Sequence, residues 1–89
     1  MPERTLNVVN RLGLHARAAA RFVSVAARFT SRIEVTVGDR CVNGKSILGL
    51  MTLAAARGAE LRVRAEGADA DAALDALSEL VRERFGEDG

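Results

Sequence analysis

The apolar residues of this chain follow two different periods, and the order of those periods limits the folds that the chain can adopt. In segments 5–9, 32–37 and 60–66, apolar residues alternate with polar ones, as in strands that bury one face. In segments 16–28 and 69–85, apolar residues recur three and four positions apart, which is typical of amphipathic helices. The chain is therefore expected to build a sheet and to cover one face of it with helices.

Shorter segments complete the predicted order. A turn at residues 38–39 lets residues 40–42 return as the second strand of a hairpin. A short helix is expected over Ser46–Leu53, with the serine as its N-cap. The last helix is expected to be capped by Asp69, and residues 86–89 are expected to form a frayed tail. The order is strand, helix, strand, strand, helix, strand, helix, which favours an α+β fold with an antiparallel sheet.

Each predicted element has one face that we expect to be buried. On the strands, the inward residues are Leu6, Val8, Ile33, Val35, Val37, Leu61, Val63 and Ala65. On the helices, they are Ala19, Phe22, Val23, Ala26, Ala27, Leu50, Leu53, Ala73, Leu74, Leu77, Leu80 and Val81. The sequence contains no Trp or Tyr and only three Phe, so the predicted core is largely aliphatic.

Size and composition exclude several classes of protein. A length of 89 residues predicts one domain, residues 1–89, and the balance of 48% hydrophobic to 28% charged residues is that of a globular protein. No apolar run approaches the roughly 20 residues of a membrane span, and because no charged and then apolar pattern is found in the first residues, we expect no leader peptide. The single cysteine, Cys41, cannot form an internal disulfide and suits a reducing compartment. We therefore expect a cytoplasmic protein without membrane insertion.

The net charge of +1 hides an uneven distribution along the chain. Residues 1–45 carry eight Lys and Arg against three Asp and Glu, a balance of +5, whereas residues 46–89 carry five against nine, a balance of −4. The sequence has no basic cluster with interleaved aromatic residues, so nucleic-acid binding is not expected. The basic first half fits a small anion or an acidic protein partner better.

The single histidine lies in the stretch 10–20, between a predicted strand and a predicted helix. Gly13 allows a tight reversal of the chain, and His15 is expected at the cap of the helix. The backbone N–H groups of Ala16 and Arg17 then have no partner within the helix, and with the helix dipole they form a seat for an anion. A neutral imidazole can attack a phosphoryl group held at such a seat. The stretch therefore predicts reversible phosphorylation of His15, assisted by the charge of Arg17 and without a metal or cofactor.

Other hypotheses fit the same residues. A lone histidine near the start of a helix is most often a capping or surface residue. In an acylphosphatase-like hydrolase, Arg17 would bind phosphate and an asparagine such as Asn43 would orient water. In a regulatory binding module, His15 would never be phosphorylated. A hydrolase would consume acyl phosphates by itself, whereas a carrier would need a partner kinase.

The apolar residues of the short helix point in two directions. Leu50 and Leu53 can face the sheet, whereas Ile47, Leu48 and Met51 lie on a different arc of the helix. A small domain that leaves such a cluster exposed usually offers it to a partner. The same cluster would also fit a helix that is buried more deeply.

Two motifs resemble those of one protein family. The run from Gly13 to Arg17, Gly-Leu-His-Ala-Arg, resembles the active-site motif of HPr, the histidine-containing phosphocarrier of the bacterial phosphotransferase system. Residues 43–51 resemble the segment that carries the family's regulatory serine. The spacing of the motifs and the order of strands and helices also match over essentially all 89 residues. The resemblance implies a single HPr-like domain, an open-faced sandwich of four antiparallel strands with three helices on one face.

The resemblance also implies roles for individual residues. His15 accepts a phosphoryl group at Nδ1, as pros-phosphohistidine, from phospho-enzyme I and passes it to an enzyme IIA for sugar transport or regulation, while Arg17 stabilises the phosphate. Ser46 is a target of an ATP-dependent HPr kinase/phosphorylase in organisms that possess one. Such a protein is a carrier that acts with partner enzymes rather than an enzyme itself. The docking surface implied for these partners consists of Ala20, Ile47, Leu48 and Met51.

One position departs from the family's pattern. The active-site motif normally has proline after the arginine, whereas this chain has Ala18. Alanine is a good helix former and restores an N–H group, so the helix is expected to persist. The substitution bears instead on the rigidity of the loop and on the rate of transfer.

Overall fold

A computed structural model describes residues 2–88. Within these residues the chain forms, in order, β1 (Glu3–Asn7), α1 (Ala16–Ala26), β2 (Arg32–Val37), β3 (Arg40–Asn43), α2 (Ile47–Thr52), β4 (Glu60–Glu66), α3 (Ala70–Arg82) and a 3₁₀ turn at Arg84–Gly86. The order of strands and helices is the one that the two apolar periods predict.

The strands form one antiparallel sheet in the order β1-β4-β2-β3. β4 pairs with β1 on one side and with β2 on the other, so that Leu6 lies opposite Leu61 and Val35 lies opposite Val63. β3 pairs with β2 across the turn at residues 38–39. The last strand in the chain is thus an interior strand of the sheet, and β1 and β3 form its edges.

The sheet buries one face and exposes the other. Leu61, Val63 and Ala65 of β4 are fully buried, whereas the four residues that alternate with them are exposed. The three α-helices cover the buried face, and α3 packs on β1 and β4. The prediction of an open-faced α+β sandwich is confirmed.

The core between the sheet and the helices is mostly aliphatic. Two phenylalanines, Phe22 and Phe85, are fully buried in it, beside leucines of α3 such as Leu74 and Leu77. Burial of a side chain of this size stabilises a fold by roughly 1.5–3 kcal/mol. The core therefore depends on helix residues as much as on the strands.

Helix α1 differs from its prediction at both ends of the apolar stripe. It ends at Ala26 rather than at Arg28, and Ala27 is exposed instead of facing the core. Ala18, which the predicted stripe omits, is fully buried. The reason is geometric, since Ala27 lies about 140° around the helix from Phe22 at roughly 100° per residue.

Asp69 precedes α3 as predicted, but its carboxylate does not cap that helix. The carboxylate accepts hydrogen bonds from the backbone N–H groups of Thr30 at 2.8 Å and Ser31 at 2.9 Å, and from the Ser31 hydroxyl. The hydrogen bond from the Ser31 hydroxyl and that from the Thr30 backbone lower the pKa of Asp69 to about 2. Asp69 therefore ties the start of α3 to the loop between α1 and β2.

Gly86 and Glu87 make specific hydrogen bonds, so the prediction of a frayed tail is wrong for these residues, whereas Gly89 lies outside the described residues. The helix ends at Arg82 rather than near Phe85. Arg84 and Phe85 have left-handed φ angles of 58° and 53°, which are unfavourable for residues other than glycine. The turn directs the Phe85 ring into the core, where it is fully buried. Burial of a large aromatic ring supplies the driving force for this turn.

Replacing Asp69 by asparagine is expected to lower the free energy of unfolding at neutral pH, because an amide loses the charge-assisted hydrogen bonds. The folded pKa of about 2 lies below the ordinary value of about 3.9. The contribution of the native carboxylate is therefore fully present above about pH 4 and is lost as the pH falls toward about 2. Urea unfolding of the native protein and of Asp69→Asn should show a difference that closes on acidification.

Asp71→Asn provides the matched control, because Asp71 is an exposed residue in the first turn of the same helix. We expect it to change the free energy of unfolding less than Asp69→Asn does. Equal losses at neutral pH, or a loss for Asp69→Asn that persists at the acidic end, would contradict the role assigned to the Thr30 and Ser31 contacts.

Candidate functional site

His15 is the N-cap residue of α1, as predicted. Its backbone is extended, with φ −79° and ψ −179°, and its carbonyl oxygen accepts the N–H of Ala19 at 2.8 Å. The imidazole makes no capping hydrogen bond to the helix and remains 29% exposed. The fold thus uses the backbone of His15 to start the helix and leaves the ring available at the surface.

The loop before His15 is held at several points. Asn10 is fully buried, and its Nδ2 donates to the carbonyl of Gly13 at 2.8 Å. Gly13 has a φ of +68°, and the next N–H, from Leu14, donates to the carbonyl of Ala55 at 2.8 Å. Leu14 itself is buried. These contacts fix where the first helix begins and therefore where the imidazole lies.

The first turn of α1 presents unpaired donors beside the ring. Within residues 2–88, the backbone N–H groups of Ala16, Arg17 and Ala18 donate to no protein acceptor, as expected for the N-terminus of a helix. Arg17 is exposed, and its guanidinium is without a hydrogen bond or ion pair in the described part of the chain. Amide dipoles and a free guanidinium together favour an anion here.

A cleft of 630 Å³ opens at this end of the helix. Its lining residues are Arg11, Leu12, His15, Ala16, Arg17, Arg21, Gly86, Glu87 and Asp88. The predicted phosphate-binding residues therefore share one cleft with two further arginines. The predicted docking residues and Ser46 lie outside it.

A carboxylate from the segment after α3 enters the same cleft. Glu87 Oε2 is hydrogen-bonded to His15 Nε2, and Glu87 Oε1 accepts from Asn10 Nδ2 at 2.9 Å. Burial raises the pKa of the Glu87 carboxyl, but the hydrogen bonds from Asn10 and His15 and the nearby positive charge of Arg21 outweigh it, so the pKa is lowered. Glu87 is therefore an ionised partner of the imidazole.

Glu87 reaches the cleft because the segment after α3 is anchored. Arg21 of α1 donates to the carbonyl of Phe85, whose ring is buried, and the N–H of Glu87 donates to the carbonyl of Arg84 at 2.9 Å. Sequence reasoning missed Glu87, Asn10 and Arg21 as site residues. The available signal was Phe85, a large apolar residue placed between the last helix and Gly86, where a frayed tail would be polar.

The second predicted motif lies at the start of α2. Ser46 is its N-cap, and the serine Oγ accepts the N–H of Gly49 at 3.0 Å. Leu50 and Leu53 are buried, whereas the three other apolar residues are exposed. Their exposed fractions are 40% for Ile47, 77% for Leu48 and 41% for Met51. The prediction of an exposed apolar cluster is confirmed, and its alternative of a deeply buried helix is wrong.

Two more residues extend the exposed surface of the helical layer. Ala20 is exposed on α1, which packs against α2. Leu12, in the loop before His15, is 62% exposed, and sequence reasoning did not single it out. The helical layer thus displays apolar side chains both at the cleft and on α2.

Asn43 does not belong to the cleft. It ends β3, and its Oδ1 accepts the backbone N–H of Lys45 at 2.9 Å. The water-orienting role that a hydrolase would require of Asn43 beside Arg17 therefore has no geometric support. Residues 2–88 contain no group of three His, Cys, Asp or Glu side chains suited to a metal ion. Over the same range, none of the helices has the length and apolar character needed to cross a membrane.

The fold and the cleft together define a class of protein, a small α+β domain that presents a histidine and an arginine at the N-terminus of its first helix. A family profile for PTS-HPr, described as the PTS HPr component phosphorylation site, matches residues 2–83. The chain belongs to the HPr family, the phosphocarrier proteins of the phosphotransferase system.

Several known proteins are similar over nearly the whole chain. The phosphocarrier protein HPr of Pseudomonas aeruginosa is 48% identical over 88 residues, covering 98% of each chain. The phosphocarrier protein HPr of Xylella fastidiosa strain Temecula1 is 49% identical over 88 residues, covering 99% of each. The crystal structure of HPr-C-His from Thermoanaerobacter tengcongensis superposes with a TM-score of 0.95 at 43% identity, covering all of both chains.

The anchoring of the histidine loop can be tested at Gly13. A Cβ at this position would lie 2.4 Å from the carbonyl oxygen of Ala55, whereas one at Gly38 would have no heavy atom within 4 Å. Both glycines have positive φ, +68° and +61°, so alanine at either pays a similar conformational penalty of about 1–2 kcal/mol. We expect Gly13→Ala to lower the free energy of unfolding by roughly 1 kcal/mol more than Gly38→Ala, because it also overpacks.

Urea unfolding measures the two losses, and the ¹⁵N signals of the single imidazole report the position of the loop. We expect these signals to shift in Gly13→Ala and to stay unchanged in Gly38→Ala. Equal losses of stability with unchanged imidazole signals in both variants would mean that the close approach to Ala55 does not position His15.

Proposed function

We propose that His15 carries the phosphoryl group, receiving it at Nδ1 from phospho-enzyme I and passing it to an enzyme IIA. The observation that carries this proposal is the cleft, in which a partly exposed imidazole lies beside unpaired helix N–H groups and the free guanidinium of Arg17. Membership of the HPr family supports the same assignment. We further propose that residues 1–89 act as one HPr-like domain in the cytoplasm.

The protein contributes to the transfer mainly by positioning the imidazole and the phosphoryl group. The lone pair of Nδ1 forms a bond to phosphorus as the bond between phosphorus and the donor nitrogen breaks in line. The N–H groups of Ala16 and Arg17 and the Arg17 side chain then balance the charge of the phosphoryl oxygens. Because the site is open to solvent on one side, a partner enzyme can approach the group that is to be transferred. The unphosphorylated protein is regenerated when the acceptor takes the phosphoryl group, so the protein acts as a carrier.

The docking surface proposed for the partners combines the cleft with the exposed apolar cluster. Ile47, Leu48 and Met51 on α2 and Ala20 on α1 are exposed and lie on helices that pack against each other. Burial of such side chains is a common source of binding free energy at protein interfaces. The arginines of the cleft favour partners with acidic surfaces.

We also propose that Ser46 is a regulatory site phosphorylated with ATP by an HPr kinase/phosphorylase. A phosphate at this residue would lie at the N-terminus of α2, which tolerates negative charge. It would also place about −1.5 to −2 charges directly before Ile47 and Leu48. Charge at the edge of an apolar docking surface must be desolvated on binding, so phosphorylation is expected to weaken docking without unfolding the protein.

Ala18 modifies the site without removing the nucleophile. It occupies the third position of α1 and is fully buried, and its backbone N–H is one of the unpaired donors beside His15. A proline here would lack that donor. The chain therefore offers three amides to an anion where the usual family motif offers two.

Phosphoryl transfer can be tested with enzyme I and labelled phosphoenolpyruvate. We expect one acid-labile, alkali-stable phosphate per chain in the native protein and none in His15→Ala. Arg17→Ala should reduce the rate of labelling on the order of tenfold, because it removes a charge that stabilises the transferred group. Arg28→Ala is the matched control, since Arg28 is exposed and lies outside the cleft, and it should label at the native rate.

Absence of label with an active enzyme I would reject the carrier role. Release of phosphate from acyl phosphates by the protein alone would favour the hydrolase instead. Retention of all partner-dependent activity by His15→Ala would favour a binding module that is never phosphorylated.

Regulation at Ser46 can be tested by comparing two variants that each add one negative charge. Ser46→Asp keeps an oxygen that can cap α2, and we expect it to bind enzyme I on the order of tenfold more weakly, measured by calorimetry. Asn7→Asp adds its charge to an exposed residue of edge strand β1 and should bind as the native protein does.

Ser46→Ala completes this test with HPr kinase and ATP. It should remain unlabelled and should lose roughly 1 kcal/mol of stability, because the N–H of Gly49 loses its acceptor. Labelling of Ser46→Ala, or equal affinities for Ser46→Asp and Asn7→Asp, would contradict the regulatory role.

A further inference from the structure

We propose that Glu87 is a positioning residue for phosphoryl transfer, whose carboxylate holds the imidazole proton of His15 on Nε2 before, during and after the phosphoryl group resides on Nδ1. The inference deepens the proposed function of His15 and rests on it. It assigns to the segment after α3 a role in the chemistry of the cleft.

The contact itself determines which nitrogen carries the proton. An ionised carboxylate can only accept hydrogen bonds, so the nitrogen that faces Glu87 Oε2 must be the protonated one. That nitrogen is Nε2, which leaves the lone pair of the neutral ring on Nδ1. The Glu87 side chain is only 12% exposed, so water competes weakly with this contact. The arrangement is the one by which a carboxylate orients a reactive imidazole in other proteins.

The carboxylate is itself held by a buried amide. Asn10 is fully buried and donates from Nδ2 both to Gly13 and to Glu87 Oε1. Its Oδ1 has no hydrogen-bond partner within residues 2–88, although buried polar atoms are usually paired. The amide thus uses its two donor hydrogens for Gly13 and Glu87, while its oxygen has no hydrogen-bond partner within residues 2–88. This is the behaviour of a group that fixes the geometry of a site.

The backbone that delivers Glu87 is also constrained. Arg84 and Phe85 are held in left-handed conformations, which persist only where the surrounding structure determines them. Burial of the Phe85 ring and the hydrogen bond from Arg21 to the Phe85 carbonyl hold the backbone in these conformations. The carboxylate therefore reaches His15 from an anchored turn.

The transfer balances without gain or loss of a proton. As the Nδ1 lone pair bonds to phosphorus, the donor nitrogen keeps the electron pair of the bond that breaks. The ring of His15, still protonated on Nε2, becomes a phosphoimidazolium, and its positive charge faces the Glu87 carboxylate. When the phosphoryl group moves to an acceptor, the electron pair of the N–P bond returns to Nδ1 and the neutral Nε2–H ring is regenerated. A ring that keeps this proton leaves as neutral imidazole rather than as an anion, which makes it the better leaving group.

The charged surroundings of His15 define the control for this proposal. The remaining charged residues that line the cleft are Arg11 before α1, Arg17 and Arg21 on α1, and Asp88 beside Glu87. Arginines keep their charge over the accessible pH range. Asp88 is exposed and, within residues 2–88, forms no hydrogen bond or ion pair. Asp88→Asn therefore removes the same charge from the same cleft as Glu87→Gln, but without removing a contact to the ring.

The tautomer can be measured on the unphosphorylated native protein. His15 is the only histidine in the sequence, so a histidine-labelled sample gives a single pair of ring ¹⁵N signals. We expect Nε2 to have the chemical shift of a protonated nitrogen and Nδ1 that of a nitrogen with a lone pair. The Nε2 proton should exchange with water on the order of tenfold more slowly than in Glu87→Ala. A native ring protonated mainly on Nδ1 would overturn the proposal.

The phosphorylated form can be prepared with phosphoramidate, which phosphorylates histidine without a protein partner. In the native protein and in Asp88→Asn, the phosphorylated ring should keep its Nε2 proton at a pH at which Glu87→Gln has lost it. At about pH 8, release of the phosphoryl group to water from Glu87→Gln should be on the order of tenfold slower than from the native protein. The difference should shrink toward about pH 5, where the solvent supplies the proton.

Identical pH profiles for Glu87→Gln and the native protein would overturn the proposal, as would equal defects in Glu87→Gln and Asp88→Asn. Failure of enzyme I to label the native protein would count against the proposed function alone, because the ring shifts and the chemical phosphorylation require no partner enzyme.

Discussion

Burial of one face of the sheet is the constraint on which the rest of the structure depends. β4 is paired on both sides, and its inward residues, Leu61, Val63 and Ala65, are removed from water only because helices cover them. The edge strand β1 must therefore be followed at once by a helix that returns over the sheet. The loop between them, held to Ala55 and closed around Gly13, brings the start of α1 to the surface. The position of His15 at the surface is therefore a consequence of how the helices cover the sheet.

The same closure brings the segment after α3 to the start of α1. Phe85 fills the core from beyond α3, and the turn needed to bury it directs Glu87 to the imidazole. Opposite charges then meet in one cleft, with three arginines from the basic half of the sequence and two carboxylates from its acidic half. The uneven charge of the chain thus has a local consequence, because charged residues of both halves line the cleft in which we propose that a phosphate is held.

The two sequence motifs have different relations to this cleft. His15 and Arg17 line it, whereas Ser46 and the apolar cluster of α2 lie beside it on the helical layer. A partner that reaches the imidazole across Leu12 and α2 would cover both surfaces in one encounter. Under the proposed function, this division separates the group that is transferred from the surface that docks the partner, so that phosphorylation of Ser46 would act on docking and leave the nucleophile and its amides intact.

The sequence by itself determined the elements, their order, the N-cap positions of His15 and Ser46, and the exposed cluster on α2, because these depend on local periods and on neighbouring backbone groups. Only the tertiary structure decided that Asp69 binds the loop at Ser31 instead of its own helix, and that Glu87 is a partner of His15 rather than part of a frayed tail. The side chains of Glu87 and His15 meet across a separation of 72 positions. No local pattern specifies such a contact, since it arises when burial of Phe85 fixes the path of the backbone.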